Sequence, residues 1–155
     1  MKEIRLTQGK IALVDDDIYE KLNSYKWCTH KCGTKIYAAR KVRINGKCIS
    51  FRMHRFIMNP SKGMQVDHLD ENGLNNQRSN LRICTASQNR MNRGKQIDNT
   101  SGYKGVSWSK GKNIWQSLIG VERKQIHLGF YNNKEKAYRV YCEAAKKYHG
   151  EFAYI

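Results

Sequence analysis

The chain has 155 residues, which is enough for one ordinary domain or two very small ones with thin hydrophobic cores. Its 29 Lys and Arg residues outnumber 13 Asp and Glu residues, and the net charge of +16 favours a polyanionic partner such as nucleic acid. Because residues 1–93 carry 18 basic and 8 acidic side chains and the remainder carries 11 and 5, a single basic tail is excluded and an extended track along phosphates is indicated.

The cysteine content and the hydropathy pattern predict a soluble, cytoplasmic protein with reduced thiols. The number of cysteines is odd, five, and no signal peptide precedes them. Cys28 and Cys32 form the only close pair, and without a second pair at similar spacing we expect no structural zinc. No apolar run approaches the roughly 20 residues of a membrane span, so no membrane contact is expected.

The first part of the chain, to about residue 53, has the pattern of short strands and turns. Residues 11–14 are apolar and lead into three aspartates, Asp15 to Asp17, which can cap a helix through Leu22. Farther along, Asn45-Gly46 separates two runs of strand-forming residues, 37–44 and 47–53. Asn-Gly is the strongest short hairpin signal, so a β-hairpin is predicted here.

The middle of the chain predicts the order strand, loop, strand, helix. A short strand over residues 65–68 leads into a loop rich in Asp, Asn and Gly, and residues 80–83 can form the returning strand. Thr85 can then cap a helix that starts at Ala86. The polar residues 94–100 have no apolar pattern and are predicted to be a linker between two domains.

The residues after the linker predict a three-stranded sheet with one helix lying on it. The strand candidates are residues 103–109, 114–121 and 124–130. Asn132 or Asn133 can cap a helix that ends at Gly150. The predicted fold class is therefore α+β, with a β-rich N-terminal segment, a central core and a C-terminal sheet packed on a helix.

Four polar residues of the central segment can carry chemistry on a phosphodiester. Asp67-His68 ends the first strand, Asn80 begins the returning strand and Asn89 lies on the helix, so these residues can converge on one point. Hydrolysis needs a base and a cation beside the phosphate. His68 suits the base, and the oxygen ligands of Asp67 and Asn89 favour one Mg²⁺ or Mn²⁺. Asn80 has the groups needed to brace the loop.

The central segment closely resembles the HNH endonucleases of bacteriophages and bacteria, many of which are related to homing endonucleases. The resemblance covers about residues 50–93, and its motif is Asp67-His68-Leu69-Asp70, residues 74–82 (LNNQRSNLR) and residues 87–92 (SQNRMN). The resemblance implies a ββα-metal fold in which His68 is the general base and Asp67 and Asn89 bind the divalent metal. It also implies that Asn80 supports the site.

Two positions depart from the family pattern, and several basic residues surround the motif. Asn89 stands where many relatives have His, and Glu71 stands where the loop usually has Gly. His54 matches a recurring position upstream, for which a structural or phosphate-contact role is expected. The nearby arginines are either phosphate contacts or a solvated rim, and phosphate contact is favoured for some of them; they are Arg52, Arg55, Arg78, Arg82, Arg90 and Arg93.

Residues 101–155 are similar to the Apetala-type (ethylene-response-factor) DNA-binding domain. The similarity rests on residues 101–108 (SGYKGVSW), Trp115, residues 126–130 (IHLGF) and Ala137-Tyr138 onward. It implies a sheet whose outer face enters the major groove. Alternation along the second strand predicts that the side chains of Trp115, Ser117 and Ile119 face the helix. For Trp108, packing in the domain and stacking on DNA are both possible roles. The predicted DNA contacts are Lys104, Gln116, Lys124, Gln125 and His127.

Together these observations predict a phage-type, homing-endonuclease-like nuclease that acts on double-stranded DNA in the cytoplasm of a bacterial host. We expect each active site to nick one strand with one Mg²⁺ or Mn²⁺, and the protein to act as a monomer on DNA, with a dimer as the alternative. The second hypothesis is a non-catalytic DNA-binding regulator with an inactive nuclease fold. An RNA-binding protein is a third hypothesis, which the resemblance to a major-groove reader disfavours.

Overall fold

The computed structural model describes all residues, 1–155, and contains small antiparallel sheets and few helices. The chain divides into two compact units, Met1–Ala86 and Ser87–Ile155. The first contains strands β1 (Lys2–Arg5), β2 (Ile11–Val14), β3 (Cys28–Cys32), β4 (Lys35–Ile44), β5 (Lys47–Arg52), β6 (Gln65–His68) and β7 (Leu81–Cys84), with helices α1 (Asp16–Asn23) and α2 (Met53–Met58). Helix α3 (Ala86–Met91) begins at the boundary, and the second unit continues with β8 (Val106–Ser109), β9 (Ile114–Val121), β10 (Lys124–Tyr131) and α4 (Lys134–His149).

The N-terminal unit is built from three small sheets around one apolar core. Strands pair in the orders β1-β2, β3-β4-β5 and β6-β7. The core contains Leu22 from α1, Met53 from α2 and Trp27 between α1 and β3, all almost fully buried. The Trp27 indole N–H donates to the Leu22 carbonyl at 2.8 Å, so the largest core side chain also has its polar atom satisfied.

The predicted Asn-Gly hairpin is confirmed, with one change at its end. Asn45 and Gly46 have φ of 48° and 74°, the left-handed values that a type I′ turn requires at both central positions. The second strand ends at Arg52 instead of residue 53, because Met53 turns into the core as the first residue of α2. Helix α2 was not predicted; it has six residues and no side-chain cap to mark its start.

The segment after β6 is tied to the start of the chain. Leu13 of β2 donates its N–H to Leu74 and accepts from the N–H of Asn76 through its carbonyl, at 2.9 and 2.8 Å. The predicted helix α1 is present with Asp15 at its N-cap. The Asp15 carboxylate does not cap α1 but accepts from the backbone N–H of Arg78 at 2.8 Å. The first residues of the chain therefore hold the loop that precedes β7.

The second unit has the predicted sheet and helix. The strand order is β10-β9-β8, and Ile119 packs with Tyr141, Ala144 and Ala145 of α4 in the core. The Asn133 side chain caps α4 by accepting from the N–H of Lys136 at 2.9 Å. Strand β8 starts at residue 106 instead of 103. No helix of the protein is both long enough and apolar enough to cross a membrane.

The boundary between the units lies ahead of the predicted linker. The division falls between residues 86 and 87, so residues 94–100 lie inside the second unit, and their role as a linker stays a prediction. Within the second unit, Lys104 donates its ammonium to the Met91 carbonyl at the end of α3. The division of chemistry and DNA tethering between the two parts of the chain stays a prediction.

Candidate active site and nucleic-acid interface

Asp67 and His68 lie side by side at the end of β6, and both are buried. The strand register places Asp67 opposite Arg82 of β7. The Arg82 guanidinium donates to the same Asp67 oxygen, Oδ2, from Nε at 3.0 Å and from Nη2 at 2.8 Å. Arg82 is one of the arginines for which phosphate contact or a solvated rim was predicted; its side chain is 12 % exposed and compensates the charge of Asp67.

The imidazole of His68 is enclosed by a second histidine and a tyrosine. The His54 ring lies edge-on to it with centroids 5.0 Å apart, and the Tyr37 ring lies 5.9 Å away. Burial lowers the pKa of His54 to about 3, and the charges of His68, Arg52 and Arg55 act in the same direction. Burial also lowers the pKa of His68, although Asn76, Asp70 and Asp67 oppose it. Both rings are therefore neutral at physiological pH.

The position of His54 favours the structural role that the sequence left as one of two alternatives. His54 is 4 % exposed on α2, and its ring packs 5.6 Å from Tyr37. A side chain this deep has no surface to offer a phosphate. Its ring instead packs edge-on against the ring of His68, and no hydrogen bond is made by its buried Nδ1 atom.

Asn80 braces the loop between β6 and β7 with three hydrogen bonds. Its Oδ1 accepts from the N–H of Asp70 at 3.0 Å, and its Nδ2 donates to Asp70 Oδ1 at 2.8 Å and to the Asn75 carbonyl at 2.9 Å. Burial would raise the pKa of Asp70, but hydrogen bonds from Asn75, Asn80 and Asn72 outweigh it and lower that pKa. The sequence motif included Asp70 but assigned it no role, although an Asp two residues before Asn72 is typical of an Asx turn.

The departure at Glu71 is accommodated by the loop. Glu71 has a φ of 60°, in the left-handed region that favours the glycine usual at this position. Its carboxylate forms an ion pair with Lys35 at 2.9 Å, which fixes the residue to β4. The residue that the packing requires to be glycine is Gly73, because a Cβ there would lie 2.3 Å from the Ile36 carbonyl oxygen and 2.5 Å from the Tyr37 ring.

The predicted basic residues fall into different environments. Arg52, Arg55 and Arg78 line one cavity of the N-terminal unit. Arg78 is also held by Asp17, whose two carboxylate oxygens accept from Nη1 at 2.8 and 2.7 Å. Arg90 and Arg93 are exposed residues of the second unit.

Two side chains, Asp67 and Asn89, are the proposed metal ligands, and both offer oxygen atoms. No group of three or more His, Cys, Asp and Glu side chains is arranged to hold a metal ion. Asp67 is buried on β6, and Asn89 is half-buried on α3 in the second unit, so its part in the site rests on the sequence motif. One carboxylate and one amide oxygen fit a hard cation such as Mg²⁺, which keeps several waters and is completed by substrate phosphates.

The register of the C-terminal sheet divides its two faces. Ser117 and Ile119 are buried toward α4, as alternation predicted. The opposite face carries the pairs Gln116 with Phe130, Leu118 with His127 and Gly120 with Gln125. Phe130, to which the sequence assigned no role, has its ring centroid 4.4 Å from that of His127 and 4.2 Å from the Lys112 ammonium.

Two predicted DNA contacts do not lie on that outer face. Lys124 pairs with Val121 and shares the helix side of the sheet with Ile126, because the alternation of β10 turns it there. Lys104 packs over the Tyr154 ring, 5.3 Å from its centroid, and donates to a backbone carbonyl. The expected DNA contacts of these two lysines stay a prediction.

The two tryptophans of this sheet form a cross-strand pair. Trp108 lies opposite Trp115, with ring centroids 5.0 Å apart in an edge-on arrangement. Trp108 is nevertheless 40 % exposed, so its ring packs on Trp115 with one side and is accessible to solvent on the rest.

Comparison with known proteins relates the central segment to nucleases. A family model described as HNH endonuclease matches residues 59–91. Protein 3.8 of Escherichia phage T7 is 36% identical over 92 residues, which are 59% of this chain and 75% of that protein. An uncharacterized HNH endonuclease of Acanthamoeba polyphaga mimivirus is 32% identical over 156 residues, covering 94% of this chain and 74% of that protein.

A plant protein and the solved structures complete the comparison. An ethylene-responsive transcription factor-like protein of Arabidopsis thaliana is 32% identical over 81 residues, which are 51% of this chain and 35% of the plant protein. No solved structure matches the chain significantly.

Proposed function

Because the chain belongs to the HNH endonuclease family, we propose that it is a metal-dependent endonuclease that hydrolyses phosphodiester bonds in duplex DNA. One observation carries the proposal: the buried Asp67-His68 pair ends β6 beside a loop braced by Asn80, inside the segment that the family model matches. In this proposal β6, β7 and α3 form the ββα-metal arrangement of the family.

The proposed roles follow from the contacts of each side chain. His68 is neutral and accepts a proton from the attacking water, while His54 and Tyr37 fix the plane of its ring. Asp67 and Asn89 would hold one Mg²⁺ or Mn²⁺, which when bound supplies positive charge beside the phosphate oxygens. Asn80 acts through the loop, since all three of its hydrogen bonds go to loop atoms.

We assign duplex binding in the second unit to the outer face of its sheet. Gln116, Gln125 and His127 lie there with amide and imidazole groups that can hydrogen-bond to base edges. The plant relative bears the name of a transcription factor-like protein, which supports an Apetala-type DNA-binding role for this part. One active site per chain addresses one strand, so the expected product is a nick made by a monomer.

The T7 relative supports a phage origin and action in the cytoplasm of a bacterial host. Homing-endonuclease-like behaviour remains part of the same proposal.

Incubating the protein with supercoiled plasmid tests the proposed activity. Wild type should produce open circles with Mg²⁺ or Mn²⁺ and none with chelator. His68→Ala should lower the cleavage rate by about 10²-fold or more, the order expected for loss of a general base. His30→Ala, a change of the same kind on β3, should leave it unchanged. Near-wild-type cleavage by the His68 variant would rule out the assigned base.

A non-catalytic DNA-binding regulator is the second candidate, and the Asp67–Arg82 pair favours it. Arg82 already supplies the positive charge that a metal would otherwise bring to Asp67. Titration calorimetry with Mn²⁺ separates the two. Binding that disappears in Asp67→Asn supports the nuclease, whereas DNA binding without any metal binding or cleavage supports the regulator.

A further inference from the structure

A cavity of about 870 Å³ lies in the N-terminal unit between helix α2, the end of β5 and helix α1. Four cationic side chains line it and no acidic one does. Its walls also present two phenylalanine rings. The residues that matter here are Lys21, Phe51, Arg52, Arg55, Phe56 and Arg78.

The positive charge of this cavity is largely uncompensated. Arg78 is paired with Asp17 and lies 3.6 Å from Asp15. Lys21, Arg52 and Arg55 form no ion pair with any carboxylate of the chain. Such a cluster repels itself unless an anion enters, so the cavity is suited to an anionic ligand.

The aromatic wall identifies the kind of anion. Phe51 is 38 % exposed at the end of β5, and Phe56 of α2 lies under the Lys21 ammonium at 5.4 Å from its ring centroid. An inorganic anion would bind the cationic side chains but would make no contact with the exposed ring of Phe51. Cations that follow a backbone beside an aromatic face are the combination by which proteins bind single-stranded nucleic acid.

The size of the cavity excludes a double helix. About 870 Å³ falls in the range of small-ligand sites, roughly 300–1,000 Å³. A duplex, whose major groove alone is about 12 Å wide, does not fit in such a space. A short stretch of one strand with its bases unstacked does fit.

We propose that this cavity binds an unpaired segment of a DNA strand, with phosphates on Lys21, Arg52 and Arg55 and a base against Phe51. The inference rests on the proposed function for the identity of the polymer, and it adds a substrate class: DNA that is unpaired beside the cleavage position. Arg52 connects the two regions, because its guanidinium also lies 5.0 Å from the centre of the Tyr37 ring that borders His68.

Binding measurements on the full chain in chelator test the proposal without any cleavage. The probes are a single-stranded oligonucleotide carrying 2-aminopurine and its perfectly paired duplex. The cavity variant is Lys21→Ala with Phe51→Ala. The matched control is Lys47→Ala with Ile44→Ala. It also removes one lysine and one apolar side chain of similar exposure, 43 % for Ile44, at the turn end of the β4-β5 hairpin.

The expected result is a selective loss of single-strand binding. The dissociation constant for the single strand should rise on the order of tenfold or more in the cavity variant, the effect of losing one base–aromatic stack, and the 2-aminopurine quenching should disappear. The control variant should change it by less than about threefold, because it removes one positive charge from the general electrostatic attraction and no contact in the cavity. Affinity for the duplex should be the same in both variants.

Three outcomes overturn the proposal: equal effects of the two variants, an equal loss of duplex affinity, or no binding of the single strand by wild type. Phe51→Leu keeps the apolar volume and removes the aromatic face, so it must also lose the quenching while its circular dichroism stays native. The binding assay contains chelator and therefore does not depend on cleavage. If the protein binds the single strand in this assay but does not cleave plasmid in the separate assay with Mg²⁺ or Mn²⁺, the proposed nuclease activity is refuted and the proposed binding site is not.

Discussion

Replacing Asn80 with Ala removes the three hydrogen bonds by which its side chain holds the loop between β6 and β7. Each hydrogen bond contributes about 1 kcal/mol net, so the N-terminal unit should lose about 3 kcal/mol of unfolding free energy. With a urea dependence of about 2 kcal/mol per molar, the unfolding midpoint of that unit should fall by about 1.5 M. Asn80 is only 8 % exposed, which limits replacement of these bonds by water.

The assay combines urea unfolding with hydrogen exchange of the loop. The amide of Asp70, which Asn80 accepts from, should exchange faster in Asn80→Ala than in wild type. Asn75→Ala is the matched control, because its side chain donates a single bond to Asp70 at 2.8 Å and its loss should cost about 1 kcal/mol. If the two variants are equally stable, the bracing role of Asn80 is refuted.

Four further outcomes are expected. The pKa of His54 falls from 6.5 to about 3 on folding, so the unfolded chain is protonated at this residue before the folded one, and the free energy of unfolding should drop as the pH falls below 6.5. By pH 5 this histidine should cost about 2 kcal/mol, and urea unfolding of His54→Phe should not show this pH-dependent loss. Gly73→Ala should destabilise the N-terminal unit by about 1–3 kcal/mol in the same assay, since its Cβ would overlap the Ile36 carbonyl. Gln116→Ala with Gln125→Ala should weaken sequence-specific duplex binding by on the order of tenfold or more in anisotropy titrations, and unchanged selectivity would exclude this face as the reader. Dilute protein should convert plasmid to open circles before any linear form accumulates, and immediate linear product would contradict one nick per active site.

Local chemistry explains which elements the sequence could predict. The Asn45-Gly46 turn and the cap of α4 each depend on side chains within a few residues, so the pattern predicted the turn and narrowed the cap to Asn132 or Asn133, of which Asn133 is the observed one. Strand β9 was predicted with its observed bounds, because its alternation is regular over its whole length. Helix α2 was missed since it is short and its burial depends on distant partners.

The parts of the site that escaped prediction depend on contacts across the fold. The Asp67–Arg82 pair requires the register of β6 on β7, which places residues 15 positions apart face to face. Gly73 matters only because β4 passes beside it. Lys124 was grouped with Gln125 and His127 because the three lie within four residues of sequence, while side chains alternate between the two faces of a strand, so Lys124 lies on the opposite face from the other two.

The hydrogen bonds between β2 and the loop that precedes β7 determine which residues must be transferred together if the HNH segment is grafted onto another protein. Leu13 pairs with Leu74 and Asn76, and the aspartates at the start of α1 hold Arg78, more than 60 residues away in sequence. Residues 59–91 excised alone would leave these backbone and side-chain groups without their partners. The segment that identifies the family is therefore not its smallest transferable folding unit, and a functional graft of it should carry residues 11–17 as well.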